Sequence, residues 1–95
     1  MTATSIQNHS ILSLCARIQA AAIKCDDYHV FVDYAAHTSG LTVRVHDCLM
    51  DYSAPADTWP EPLLYESVYL DADWVDPAHG LTAIIDQLQR LGVEV

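Results

Sequence analysis

The chain has 95 residues, of which 52% are hydrophobic and 18% charged, a balance that excludes a disordered acidic tail and a membrane-spanning helix and leaves one compact domain over residues 1–95, α+β by the order of its elements. Its 13 Asp and Glu outweigh 4 Lys and Arg to give a formal net charge of −9, which opposes direct binding to a phosphate backbone and points to basic partners.

From Ile6 to about Lys24, the apolar positions Ile11, Leu14, Cys15, Ile18, Ala21, Ala22 and Cys25 recur at steps of three and four, the period of one helix face. Asp26 and Asp27 oppose the dipole at the C-terminal end and mark the stop. Two alternating runs follow, Tyr28–Ala36 and Leu41–His46, separated by Thr38, Ser39 and Gly40, which predicts an antiparallel hairpin. Period two sends Tyr28, Val30, Val32, Tyr34, Leu41, Val43 and Val45 to the core. His29, Phe31, Asp33, Thr42, Arg44 and His46 then lie on a second sheet face that is wet or docked.

Residues 47–62 contain Pro55, Pro60 and Pro62 and show no period, so they read as a long loop, a length that in a small domain is functional or mobile. Leu63 to Asp71 resumes strand chemistry, with Leu64, Val68 and Leu70 on one side and Leu63, Tyr65, Ser67 and Tyr69 on the other, and with its facing left open. Asp76 followed by Pro77 starts a second helix. Leu81, Ile84, Ile85, Leu88 and Leu91 form its apolar stripe, and Gly92 ends it. The order α-β-β-β-α implies a three-stranded antiparallel sheet with both helices packed on one face.

The charge is unevenly placed. Asp26, Asp27 and Asp33 balance Arg17, Lys24 and Arg44, and Arg90 balances Glu94, whereas residues 45–89 hold nine acids and no Lys or Arg. Soluble faces ordinarily mix both signs, so this segment reads either as a solubility feature or as an anionic docking face. Asp47, Asp51, Asp57, Glu61, Glu66, Asp71 and Asp73 are the candidate partner-binding acids, and Tyr52 and Trp59 the candidate aromatic anchors. Asp71 and Asp73, read as strand residues, would project together about 6.6 to 6.8 Å apart, near two phosphate steps of duplex DNA. Trp59 is expected to be the more exposed tryptophan and Trp74 partly buried.

No catalytic, cofactor or metal site is apparent. His46, Asp47 and Cys48 are adjacent on a strand and alternate faces, so they do not converge as a triad. Asp71, Asp73 and Asp76 lack the glycine and glutamate of a calcium loop, and Asp76 reads as a helix cap. Cys15, Cys25 and Cys48 are odd in number and widely spaced, which argues against a disulfide framework or zinc knuckle and reads as reduced, mostly buried thiols. No Lys or Arg precedes Arg17 and no long apolar run follows the N-terminus, so neither a secretory signal nor a membrane anchor is expected, and the cytoplasm is the default compartment.

The segment Val-Phe-Val-Asp-Tyr-Ala-Ala-His at residues 30–37, with Leu-Thr-Val-Arg-Val at 41–45, resembles a segment of small prophage-encoded proteins, and Tyr-Leu-Asp at 69–71 before a capped helix is similar. The resemblance covers roughly residues 6–92. It implies an acidic phage accessory protein of the host-defence inhibitor class, which includes anti-CRISPR proteins, some of them DNA mimics, and it assigns no individual residue a role. The expected partner is then a basic surface of a host nucleic-acid-binding complex such as a CRISPR effector, without direct nucleic-acid or membrane binding, in the cytoplasm of a bacterial host. The alternative is a non-enzymatic assembly module that homodimerises through the second sheet face of His29, Phe31, Thr42, Arg44 and His46.

Overall fold

The computed structural model describes residues 9–71 and 76–95. Its elements are α1 (His9–Lys24), β1 (Tyr28–Ala35), β2 (Gly40–Asp47), a 3-10 turn (Ala56–Thr58), β3 (Leu64–Tyr69) and α2 (Pro77–Leu91). The sheet is antiparallel in the order β1-β2-β3, so β2 is the central strand and the other two are edges. This is the expected α-β-β-β-α arrangement. No helix of the described residues is long and apolar enough to cross a membrane.

Alternation along β2 explains the layering. Leu41, Val43 and Val45 are buried with Ile11, Ile18 and Ala21 of α1 and with Leu81, Ile84, Ile85 and Leu88 of α2 in one cluster, which puts both helices on the same sheet face. Val43 and Val45 pair with Val32 and Val30 on one side and with Glu66 and Leu64 on the other. That register settles the facing of β3. Leu64 and Val68 join the core, as does Leu70 just beyond the strand, while Tyr65, Ser67 and Tyr69 share the outer face with Arg44, Thr42 and Gly40, their partners on β2. Val93, past the second helix, is also buried, a core position that the helical stripe ending at Leu91 did not include.

Both ends of α2 are as the sequence predicts. The Asp76 carboxylate accepts from the amides of Ala78 (3.1 Å) and His79 (3.4 Å), Pro77 opens the helix, and Gly92 closes it at φ 99°. Two expectations need correction. Tyr34 keeps the core-side parity but is largely exposed on the edge strand, where it lines a depression with Leu12, Cys15 and Ala16 of α1. The cysteines are free, yet Cys48 is exposed in the loop and Cys15 and Cys25 are only half-buried, because their positions lie at the margins of the packed stripe. Burial pushes the Cys15 thiol pKa up.

Candidate functional site: the loop end of the outer sheet face

The outer face of the sheet carries four cross-strand rows, read from the register as His29 with His46, Phe31 with Arg44 and Tyr65, Asp33 with Thr42 and Ser67, and Ala35 with Gly40 and Tyr69. Thr42 and Ser67 bond each other through their hydroxyls at 2.9 Å. The face is not left open along its whole length. The loop between β2 and β3 folds back over the first row and covers it with Tyr52 and Trp59.

The cover is aromatic and mostly edge-on. Tyr52 stacks on His29 at 5.4 Å between centroids and bonds its Nδ1 at 2.7 Å. Its ring also meets Phe31 at 5.8 Å, His46 at 6.1 Å and Trp59 at 5.6 Å, all near-perpendicular. Trp59 reaches His46 at 6.4 Å, and its indole N–H donates to the Ala54 carbonyl at 2.8 Å. Such ring pairs contribute about 0.5–1.5 kcal/mol each beyond their area. His46 is left only 4% exposed, and burial, then the Arg44 charge, then His29 lower its pKa below the ordinary value of 6.5. Burial likewise pushes the Tyr52 hydroxyl up, against a smaller opposing pull from Arg44. The Arg44 guanidinium sits 4.6 Å from the Phe31 centroid, and its Nε is buried without a hydrogen-bond partner.

Trp59 is therefore half-buried rather than projecting, and Tyr52 and Trp59 brace the loop. Trp74 lies outside the described residues. The face expected to pair with a second copy is occupied at its His29 and His46 end by the chain's own loop.

Below this cover the loop closes an apolar depression of about 430 Å³, lined by Leu49, Met50, Pro60 and Leu63 with His46, and rimmed by Asp47, Asp51 and Glu61. Local hydrogen bonds shape the rim. The Asp47 carboxylate accepts from the Leu49 amide at 2.8 Å, and Asp51 accepts from the Ser53 hydroxyl at 2.6 Å and amide at 3.0 Å. Those two bonds from Ser53 hold the Asp51 carboxyl below its ordinary 3.8. The Leu63 amide returns the chain to the sheet by donating to the Val45 carbonyl at 2.8 Å. Leu49 is 87% and Leu63 51% exposed, so the depression presents apolar side chains to solvent beside three carboxylates.

The remaining candidate acids separate. Asp57 lies on the 3-10 turn of the loop. Glu66 is exposed at the centre of β3 on the helix side, opposite Val43. Asp71 lies beyond β3, at the hairpin-turn end where the Leu70 amide bonds the Ser39 carbonyl at 2.8 Å, about 20 Å of strand from the loop end. The strand stops at Tyr69, so the two-residue strand spacing expected for Asp71 and Asp73 does not extend to Asp71, and Asp73 lies outside the described residues. Asp86 pairs with Arg90 at 2.9 Å on the surface of α2. The signal missed in the sequence was Leu49, Met50 and Leu63, hydrophobic residues flanking the acids, which form the floor.

Among the described residues, no three His, Cys, Asp or Glu side chains are arranged to hold a metal ion. Cys48 is exposed and His46 is sealed under the loop, so these neighbours do not form a nucleophile and base. Comparison with protein-family models, with curated proteins and with solved structures gives no match.

Proposed function

We propose that this protein is a non-enzymatic binding module that docks the loop end of its sheet on a basic protein surface. The observation that supports it is the juxtaposition of Asp47, Asp51 and Glu61 around the exposed side chains of Leu49 and Leu63 and the half-buried Met50. Carboxylates without a neighbouring Lys or Arg in segment 45–89 attract a basic partner at long range, and an apolar floor provides packed contacts once it arrives. Basic surfaces rich in Lys and Arg are characteristic of nucleic-acid-binding proteins. The resemblance of the hairpin to prophage-encoded proteins favours a host-defence complex of that kind, with the protein acting as an inhibitor that occupies the nucleic-acid site.

The loop end, rather than the whole acidic segment, is the docking face in this reading. Replacing Asp47 and Asp51 by Asn and Glu61 by Gln leaves the apolar floor and removes three charges. Host-lysate capture with wild type at low salt is expected to retain a basic partner that duplex DNA displaces and the triple variant fails to retain. Equal retention by wild type and variant would overturn the reading.

A further inference from the structure

We infer that protonation of His46 in mildly acidic conditions releases the loop of residues 48–63 from the outer sheet face, so that the docking face is assembled at neutral pH and dismantled in acid. The consequence for docking rests on the function proposed above; the loop release itself does not.

Among the described residues, His46 is the buried histidine, and it sits beneath the loop that it supports. The groups facing it can be taken element by element. From β1 come His29, its cross-strand partner, and the edge-on ring of Phe31 at 6.1 Å. From β2 comes Arg44, two residues away on the same face. From the loop come Tyr52 and Trp59. Asp47, Asp51 and Glu61 share the depression of which His46 is a wall, but these carboxylates are solvent-exposed, so their attraction for an imidazolium is screened. A charge on His46 would thus be buried, placed between a guanidinium and a second imidazole, and shut off from water by two aromatic rings.

The sign follows directly. The closed loop holds His46 with a lowered pKa, while the released loop returns it to water near the ordinary 6.5. Above 6.5 both states bind it neutral and closure is at its most favourable. Below 6.5 the released state takes up the proton first, so closure weakens as the pH falls toward the lowered value. His29 does not reverse this. Its bond to Tyr52 can form with the tyrosine hydroxyl as donor or as acceptor, so that contact does not favour closure in acid.

The response is confined to the outer face. The cluster under the helices is aliphatic, and its members Ile18, Val43, Leu81 and Leu88 offer no titrating group to acid. Release would carry Leu49, Met50, Asp51, Asp57 and Glu61 away from their present positions together.

The test uses the free protein and follows the Trp59 indole and Tyr52 ring resonances by NMR from about pH 8 to about pH 5. Both are expected to move with the His46 ring at a midpoint below 6.5, while Val43 and Leu88 methyl resonances stay in place. His46→Phe, which keeps a ring beneath the loop, is expected to hold the Trp59 indole fixed over the range; His46→Gln serves if the phenylalanine variant does not fold. Wild-type loop resonances that do not move, or a non-titrating variant that moves with the wild-type midpoint, would overturn the inference. A second arm measures binding of a lysine-rich peptide to the wild type and to His46→Phe at both ends of the range. Loss in acid by wild type alone supports the coupling, whereas no binding at neutral pH overturns the docking reading and leaves the loop result standing.

Discussion

The hydroxyl of Tyr52 lies 2.7 Å from Nδ1 of His29 with the two rings stacked, a contact that ties the centre of a loop to an edge strand 23 residues earlier. Tyr52→Phe keeps the stack and removes the hydrogen bond. Loop anchoring should weaken by about 1 kcal/mol. Faster amide exchange at Leu63, which returns the loop to the sheet, with a correspondingly small drop in the urea midpoint would show this.

Gly80 shows where packing opposes intrinsic helix preference. A Cβ at this position would lie 2.9 Å from Cγ2 and 3.2 Å from Cγ1 of Val68, a buried β-branched residue with little freedom to turn away. Alanine is favoured over glycine in helices by about 1 kcal/mol. Overpacking costs about 1–3 kcal/mol, so Gly80→Ala is expected to lower net stability in urea denaturation, and Gly80→Ala combined with Val68→Ala to remove the clash at the expense of a cavity.

The two ends of α2 should respond by different mechanisms. Asp76→Ala removes the acceptor for the Ala78 and His79 amides and should cost about 1 kcal/mol. Gly92→Ala meets no atom within 4 Å but must adopt φ 99°, and the strain should cost about 1–2 kcal/mol. Thermal denaturation of both variants at neutral pH checks the pair.

Acid should also act on Asp51, lower in pH than on His46. Its carboxyl is held below 3.8 by the Ser53 hydroxyl and amide, so the turn it closes is favoured above 3.8 and loses that support as the pH falls through the lowered value. The side-chain carboxyl carbon of Asp51 is expected to titrate below 3.8 in wild type and to move upward in Ser53→Ala.

Local chemistry was enough to place most of the fold. Asp76, Pro77 and Gly92 bracket α2 because capping depends on residues adjacent in sequence, and the alternation of Val30, Val32, Val43 and Val45 specifies a hairpin because its two strands are joined by a short turn. The site was less legible. Tyr52 and Trp59 lie in a Pro-rich stretch without period, and their contacts with His29 and His46 are long-range, which no local pattern encodes. An aromatic and histidine row on a sheet face with no third helix to cover it was the available clue, since such a row calls for a cover. For Asp71 the limit is different: the strand pattern of the sequence runs on past Tyr69, but the hydrogen-bonded ladder ends there, so strand alternation does not reach Asp71.

The most direct measurement is the association rate of the captured partner with wild type and with the Asp47→Asn, Asp51→Asn, Glu61→Gln variant as ionic strength is raised. Docking by the acidic loop end predicts a wild-type rate that falls steeply with salt and a variant that is slow at low salt and nearly insensitive to it. Identical salt dependence in the two proteins would contradict the account, because the three carboxylates at the depression would then take no part in the encounter.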